Sequence, residues 1–298
     1  MATSAPRFAD ENGSLLVHDD CLDALGELAR DAQGPFDLVY VDPPYNAGGS
    51  RGVRQSSGER SRGVEAYRDS WGGLGGFLGM LGPRLAAMRD ALSDRGSLWL
   101  HLDHRAVHDS KVLCDGIFGR PQFAGEIIWV PGNGAKKRTG PSVTHQTILI
   151  YGKTPSFIYN VDDPALREPY AETSLSMHFG RVDEDGRNYR ERIVNGRAYR
   201  YYADRGRQLG SVWNDCPAMR ANTPLNKEAT GYPTQKPLSL LERIVRAATL
   251  PESRVLDPMC GSGTTLEAAR NLGRSFAGVD RSPRSIEVVS KRLGLRPA

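Results

Sequence analysis

The chain has 298 residues, 39% of them apolar, with 39 basic against 35 acidic side chains and a net charge of +4, a composition that suits one large globular domain with a substantial core. So small a positive excess permits a polyanionic partner but does not demonstrate one. The opening MATSAPRFADENGS lacks the apolar core of a secretory signal, and no run reaches the roughly 18 apolar residues of a membrane span, so a soluble, cytoplasmic protein with no membrane partner is expected.

Taken in chain order, Val-, Ile- and Leu-rich runs alternate with helical patterns. SLLVH (14–18) precedes a helix expected over Asp20 to Asp31, FDLVYV (36–41) one over Gly76 to Leu92, and GSLWLHL (96–102) one over His104 to Phe118. EIIWV (126–130) and TILIY (147–151) follow. After a long interval come a helix over Leu238 to Ala248, RVLD (254–257), a helix over Thr264 to Leu272, SFAGVD (275–280) and a helix over Ser282 to Leu293. Apolar runs without polar alternation are strands buried on both faces, and strands separated by helices build a parallel sheet. The expected fold class is α/β, a doubly wound and mostly parallel sheet.

Between about Thr154 and Lys227 that rhythm stops and arginine becomes dense. In GRNYRERIVNGRAYRYYADRGRQ, Arg187, Arg190, Arg192, Arg197, Arg200, Arg205 and Arg207 face only Glu191 and Asp204, with Tyr189, Tyr199, Tyr201 and Tyr202 interleaved. Basic and aromatic side chains mixed in this way suit phosphates and stacked bases. A solvated edge hairpin turning at Asn195-Gly196 is the alternative. A second irregular stretch, NAGGSRGVRQSSGERSRG (46–63), has the composition of a mobile loop, and a lid beside a site is expected there. Cys21, Cys114, Cys216 and Cys260 lie far apart with no C-x-x-C pair, which points to reduced thiols rather than a zinc site or a disulfide framework.

Two motifs carry chemistry. In RVLDPMCGSGTTLEAARNLGRSFAGVDRS a strand runs into a glycine turn, a helix, a second strand and an acid. Gly261 and Gly263 let the backbone approach a ligand, and a helix starting near Thr264 points free N–H groups at the same place. Asp280 stands about 20 residues on, where nucleotide folds hold ribose hydroxyls. The turn is neither a P-loop, which needs Lys before Ser/Thr, nor G-x-G-x-x-G; it fits an adenosine-bearing cofactor, with a plain tight turn as the alternative.

The other motif, Asp42-Pro43-Pro44-Tyr45, ends an apolar strand. The prolines fix φ and carry no N–H, so the local carbonyls are held rigidly. An acidic oxygen and the Pro43 carbonyl can then accept both hydrogens of one –NH2 group while Tyr45 offers a flat face to a base. The exocyclic amine of a nucleobase is a poor nucleophile because its lone pair is delocalised, so gripping both hydrogens favours the tetrahedral nitrogen of a transition state.

Together with LLVHDDCLDALGEL, FAGEIIWV, HQTILIYGK, VWNDCP and GYPTQKPLSLLERIV, these motifs give the chain an order that resembles the amino-methyltransferases of DNA, which transfer a methyl group from S-adenosylmethionine to adenine N6 or cytosine N4. Catalytic motif first and glycine motif last resembles the permuted, beta arrangement of that family, on a Rossmann-like methyltransferase fold. The resemblance implies a catalytic half over 1–153, an inserted target-recognition region over 154–227 that puts the seven arginines on DNA, and a cofactor half over 228–298. It implies a catalytic set of Asp42, Pro43, Pro44 and Tyr45, and a cofactor set of Asp20, Thr234, Lys236, Asp257, Pro258, Cys260, Gly261, Gly263, Thr264, Thr265 and Asp280. In that set Lys236 pairs with the carboxylate of the methionine end. Double-stranded DNA is the implied partner, with a cognate restriction endonuclease and a second copy of the chain as further candidates. Gly125, Gln146 and Met259 depart from the residues common at those positions, and none belongs to the clamp. His101, Asp103 and His104 fit the family pattern without a metal, and direct transfer needs no cysteine nucleophile, so no metal and no covalent role for Cys260 are expected. Adenine N6 is the leading target, cytosine N4 the runner-up, and a non-catalytic DNA-binding regulator the reading from another class.

Overall fold

A computed structural model of the chain describes residues 5–30, 33–45, 50–52, 65–68, 70–132, 134, 137–219 and 228–298. Ten strands form one sheet: β1 (Arg7–Ala9), β2 (Leu15–His18), β3 (Phe36–Val41), β4 (Leu92–Leu102), β5 (Phe123–Trp129), β6 (Gln146–Gly152), β7 (Val212–Trp213), β8 (Arg254–Asp257), β9 (Ser275–Asp280) and β10 (Arg296–Pro297). Their order across the sheet is β7-β5-β6-β4-β3-β8-β9-β2-β1-β10. The centre, β4-β3-β8-β9-β2, is parallel throughout. Antiparallel pairs lie outside it, β4 with β6 and β6 with β5 on one side, β2 with β1 and β1 with β10 on the other. The doubly wound, mostly parallel α/β sheet expected from the apolar runs is therefore the fold.

Among the described residues six helices cover the sheet: α1 (Cys21–Leu28), α2 (Leu74–Ala91), α3 (Val107–Phe118), α4 (Leu238–Ala248), α5 (Thr264–Asn271) and α6 (Pro283–Leu293). Asp20 caps α1 by accepting the Leu22 N–H at 2.9 Å, the local reason the chain turns into a helix there. In α2 the buried residues Phe77, Met80, Leu81, Leu85, Met88 and Ala91 recur every three or four positions. They join α1, α3 and alternate strand residues such as Val39, Val41, Leu98 and Leu100 in one core cluster. Leu38 and Tyr40, one position out of phase on β3, are as deeply buried and point to the opposite face, since successive strand side chains alternate.

Adjacent strands β3 and β8 mark a reversal of winding: the chain leaves β3 towards β4 and leaves β8 towards β9. Crevices at such switch points, outside the carboxyl ends of the strands, are where open α/β sheets bind ligands. The parallel centre carries an acid at or just after each of those ends, namely Asp42 after β3, Asp103 after β4, Asp257 on β8, Asp280 on β9 and Asp20 after β2.

Residues 159–210 form a compact unit of their own, separate from the unit made by 1–158 and 211–298. It contains the antiparallel strands Asn188–Val194 and Arg197–Tyr202, joined by the two-residue turn Asn195-Gly196 with φ of 50° and 75°. Positive φ at both central positions is the signature of a type I′ hairpin turn, which matches the twist of its strands. The unit lies inside the 154–227 region expected to recognise the target. Most of the 46–63 stretch, and with it the expected lid, falls outside the described residues; within it, Ser50–Gly52 pairs antiparallel with Glu65–Arg68. All four cysteines are buried free thiols. Among the described residues no helix is long and apolar enough to cross a membrane.

Candidate active site

Every residue of the two motif-derived sets except Gly263 lines one cleft at the carboxyl ends of β2, β3, β8 and β9. The two prolines carry the chain out of β3 so that Asp42 faces into this cleft. There both carboxylate oxygens are engaged: Tyr45 Oη donates to Oδ1, and the Lys236 ammonium pairs with Oδ2. Lys236 Nζ also lies 3.1 Å from Tyr45 Oη and 5.3 Å from the centre of its ring. Burial, followed by the negative charge of Asp42, pushes the Tyr45 phenol well above its ordinary range. It stays protonated and acts as a donor to the carboxylate.

The loop before α4 delivers Lys236. Gln235 ties that loop together, its Oε1 accepting from Thr230 N at 3.0 Å and Thr230 Oγ1 at 2.6 Å while its Nε2 donates to the Glu228 carbonyl at 2.7 Å. Thr234 adopts φ of 58°, a left-handed conformation uncommon for a β-branched residue and held here by the surrounding turn. Lys236 is buried, and a buried ammonium needs an anionic partner. That requirement places its head on Asp42, a position that the pairing with a cofactor carboxylate expected from the motif did not include.

On the other side of the cleft the glycine turn links β8 to α5. Gly261 and Gly263 have φ of 51° and 75°, conformations that glycine adopts without strain. Gly263 also lies so close to α6 that a Cβ would sit 2.8 Å from Val289 Cγ2. Asp280 accepts the Gly261 N–H at 2.8 Å through Oδ2 and the Ser282 N–H at 2.8 Å through Oδ1, so the acid at the end of β9 fixes the turn while facing the cleft. Ser285 Oγ donates to the Gly261 carbonyl at 2.6 Å. Asp257, at the end of β8, is almost fully buried. Burial raises its carboxyl from 3.8 to about 7, against the opposing effect of hydrogen bonds from Thr265 and the Met259 N–H, with Asp42 and Asp280 adding to the rise. Burial likewise lifts the Cys260 thiol well above its normal range, which leaves it un-ionised and unsuited to nucleophilic attack.

Asp20 reaches the same cleft with its capping oxygen also paired to Arg84 Nη2 at 2.6 Å. Lining residues outside the two candidate sets include Arg84 on α2, and Trp71 with Arg281, whose guanidinium lies 5.8 Å from the indole centre. Their only sequence signal is position, Arg281 following the acid of β9 and Trp71 preceding α2. His101 is taken up elsewhere. Its Nδ1 is 2.8 Å from Tyr40 Oη and its ring meets Trp129 edge-on at 5.4 Å; burial, then the Lys236 charge, lowers its pKa well below the usual value. Asp103 forms an ion pair with Arg105.

The cleft thus combines a carboxylate clamp with an aromatic neighbour and, opposite, a glycine turn at a helix N-terminus braced by an acid. The second part fits an adenosine-bearing ligand: the left-handed glycines keep the approach to the backbone open, and α5 presents its first N–H groups. Comparison with known proteins agrees. A family model described as DNA methylase matches residues 36–291. The Type II methyltransferase M.EcaI of Enterobacter cloacae is 27% identical over 305 residues, a match that covers 87% of this chain and 64% of that protein. The DNA adenine methyltransferase YhdJ of Escherichia coli is 26% identical over 290 residues, covering 96% and 84%. Among solved structures, the M1.HpyAVI–SAM complex shares the fold with a TM-score of 0.57 at 18% identity, over 93% of this chain and 98% of that one.

Proposed function

The chain belongs to the DNA methylase family of S-adenosylmethionine-dependent methyltransferases, and from that premise we propose that it methylates the exocyclic amine of a flipped base in double-stranded DNA, with adenine N6 as the preferred acceptor. The observation that carries this is the convergence, on the carboxyl ends of neighbouring strands β3 and β8, of the Asp42-Tyr45 clamp and the Gly261-Gly263 turn in a single cleft. Adenine is favoured because Asp followed by Pro-Pro-Tyr resembles the clamp of adenine enzymes, and because YhdJ, similar over 96% of this chain, is named for adenine.

The residues that would hold S-adenosylmethionine are Asp20, Thr234, Asp257, Pro258, Cys260, Gly261, Thr264, Thr265 and Asp280, with Gly263 shaping the turn and Lys236 beside the methionine end. Bound there, it supplies an electrophilic methyl group on a sulfonium sulfur. A base cannot reach that group while stacked in a duplex, so it enters the cleft flipped out. Tyr45 stacks on it, while Asp42 and the Pro43 carbonyl accept the two amine hydrogens and hold the nitrogen lone pair on the methyl. Asp42 takes the surplus proton once the nitrogen has bonded to carbon and become acidic. No strong base is required.

The compact 159–210 unit serves, in this reading, as the core of target recognition. The residues on either side of it supply the catalytic half and the cofactor half. M.EcaI is named a Type II methyltransferase, and we assign this chain to the same setting, the modifying half of a restriction-modification pair.

The test is incubation with unmethylated duplex DNA and methyl-labelled S-adenosylmethionine, followed by nucleoside mass spectrometry. Labelled N6-methyladenine is expected. Label on cytosine N4 would keep the clamp chemistry and change the base; no label in DNA, with donor bound, would overturn the reading in favour of a regulator that retains the fold.

A further inference from the structure

The 159–210 unit carries nine arginines and nine carboxylates, so its overall charge gives it no attraction to a polyanion. What matters is how the hairpin sorts them. Opposed residues of an antiparallel pair share a face, and the register pairs Arg190 with Tyr201, Arg192 with Tyr199 and Val194 with Arg197 on one side, Tyr189 with Tyr202, Glu191 with Arg200 and Ile193 with Ala198 on the other. The acid of these strands, Glu191, falls on the second face.

Contacts follow the same division. On the second face Arg200 pairs with Glu191 at 3.7 Å and lies 4.9 Å from the Tyr189 ring, and Tyr189 packs on Tyr202 at 6.0 Å. At its border Arg187 makes a two-pronged pair with Asp204 at 2.9 and 3.0 Å and stacks over Tyr202 at 4.0 Å. Arg207 pairs with Glu168 at 2.9 Å. These arginines are internal ties. On the first face Arg190 is stacked among Tyr170, Phe179 and Tyr201. Beyond it, Arg192 and Arg197 form no ion pair among the described residues and stand exposed around Tyr199, itself 44% exposed. Two unopposed guanidinium groups flanking an exposed aromatic ring match a phosphate backbone with a base or sugar between phosphates.

We propose that the outer half of this acid-free face, Arg192 and Arg197 around Tyr199, is the surface that the hairpin lays on the phosphate backbone of DNA, and that Arg187, Arg200 and Arg207 hold the unit together instead of touching the ligand. The inference rests on the reading of the chain as a DNA methyltransferase and narrows it. Seven arginines look equivalent in the sequence; two of them carry the contact.

The experiment measures duplex DNA affinity against salt for the full chain, Arg192→Ala/Arg197→Ala and Arg187→Ala/Arg200→Ala, with melting temperatures alongside. Each lost phosphate contact lowers the slope of log K against log salt by about 0.9. The first double variant is therefore expected to lose a slope of roughly 1.8 and roughly 10- to 100-fold in affinity at 0.1 M salt, with unchanged melting, and Arg192→Lys/Arg197→Lys should restore the slope. The second is expected to melt lower and keep its slope. An unchanged slope in the first variant, or an equal loss in both, overturns the assignment. So does competition by polyglutamate as effective as by DNA, which would make this face a docking site for an acidic protein. A wild-type chain that neither binds DNA in a salt-dependent way nor labels it would sink the methyltransferase reading itself, a result distinct from failure of this surface alone.

Discussion

The ammonium of Lys236 sits on a carboxylate oxygen of Asp42, a residue 194 positions away in the chain, and within 3.1 Å of the Tyr45 hydroxyl. It thus places a nitrogen bearing hydrogens where the proposed mechanism needs the amine of a flipped base. Entry of that base requires Lys236 to move or to share the carboxylate. The Lys236 head is then available to the carboxylate of the donor, so its two proposed partners are alternatives in time.

Lys236→Met tests this dual role. Losing a charge-assisted hydrogen bond to the donor costs about 1.5–3 kcal/mol, so the KM for S-adenosylmethionine should rise roughly 10- to 100-fold. Steady-state kinetics with the donor varied at saturating DNA provide the check. A KM that stays put while kcat falls would restrict Lys236 to the clamp.

Asp42→Ala should abolish transfer and also weaken the fold, because it leaves the buried Lys236 ammonium without its counter-charge. Removing one partner of a largely buried pair costs about 3 kcal/mol or more, on the order of 10 °C in melting temperature for a chain of this size. The double variant Asp42→Ala/Lys236→Met removes both charges and should melt near the wild type while remaining inactive. If the single and double variants melt alike, the pair does not contribute to stability in this way. If the single variant retains transfer, Asp42 is not the clamp.

Much of this site was legible because its parts are local. FDLVYV and RVLD are continuous apolar runs ending in acids, and strands buried on both faces leave that mark whatever packs on them. The outlying strands Arg7–Ala9, Val212–Trp213 and Arg296–Pro297 are two or three residues long and partly or fully exposed at most positions, too short for any period to show. The Lys236–Asp42 pair and the entry of Trp71 and Arg84 into the cleft depend on tertiary placement, which no spacing along the chain encodes. Between these extremes lies the hairpin: the turn Asn195-Gly196 was readable, and the alternation that sorts its arginines followed once the register was known.

Asp257 provides a pH test with a definite sign. Its folded carboxyl titrates near 7, above the unfolded value of 3.8, and burial is the main cause. Between about pH 4 and pH 7 the folded protein keeps a proton that the unfolded chain has released, so the contribution of this group to stability falls as pH rises and levels off above about 7. Three units correspond to roughly 4 kcal/mol at most. Asp257→Asn, which stays neutral, should therefore gain melting temperature over wild type progressively from pH 5 to about pH 7 and hold that gain above it. A difference that does not change with pH would show that Asp257 titrates as an ordinary carboxylate.

Gly263→Ala combines two effects that a control separates. At φ of 75° an alanine pays the left-handed cost of about 1–2 kcal/mol, and its Cβ would also lie 2.8 Å from Val289 Cγ2 in the core. Gly273, with φ of 72°, has open space where a Cβ would project, with no neighbouring atom within 4 Å, so Gly273→Ala carries the conformational cost alone. The Gly263 variant should melt lower than the Gly273 variant, by on the order of 1–3 kcal/mol of overpacking, and Val289→Ala introduced beside it should recover part of that difference. Because Gly263 shapes the turn proposed to face the donor, its variant should also show a smaller thermal shift on adding S-adenosylmethionine, whereas the Gly273 variant should keep the full shift. Equal donor-induced shifts in the two variants would separate the turn at Gly263 from cofactor binding.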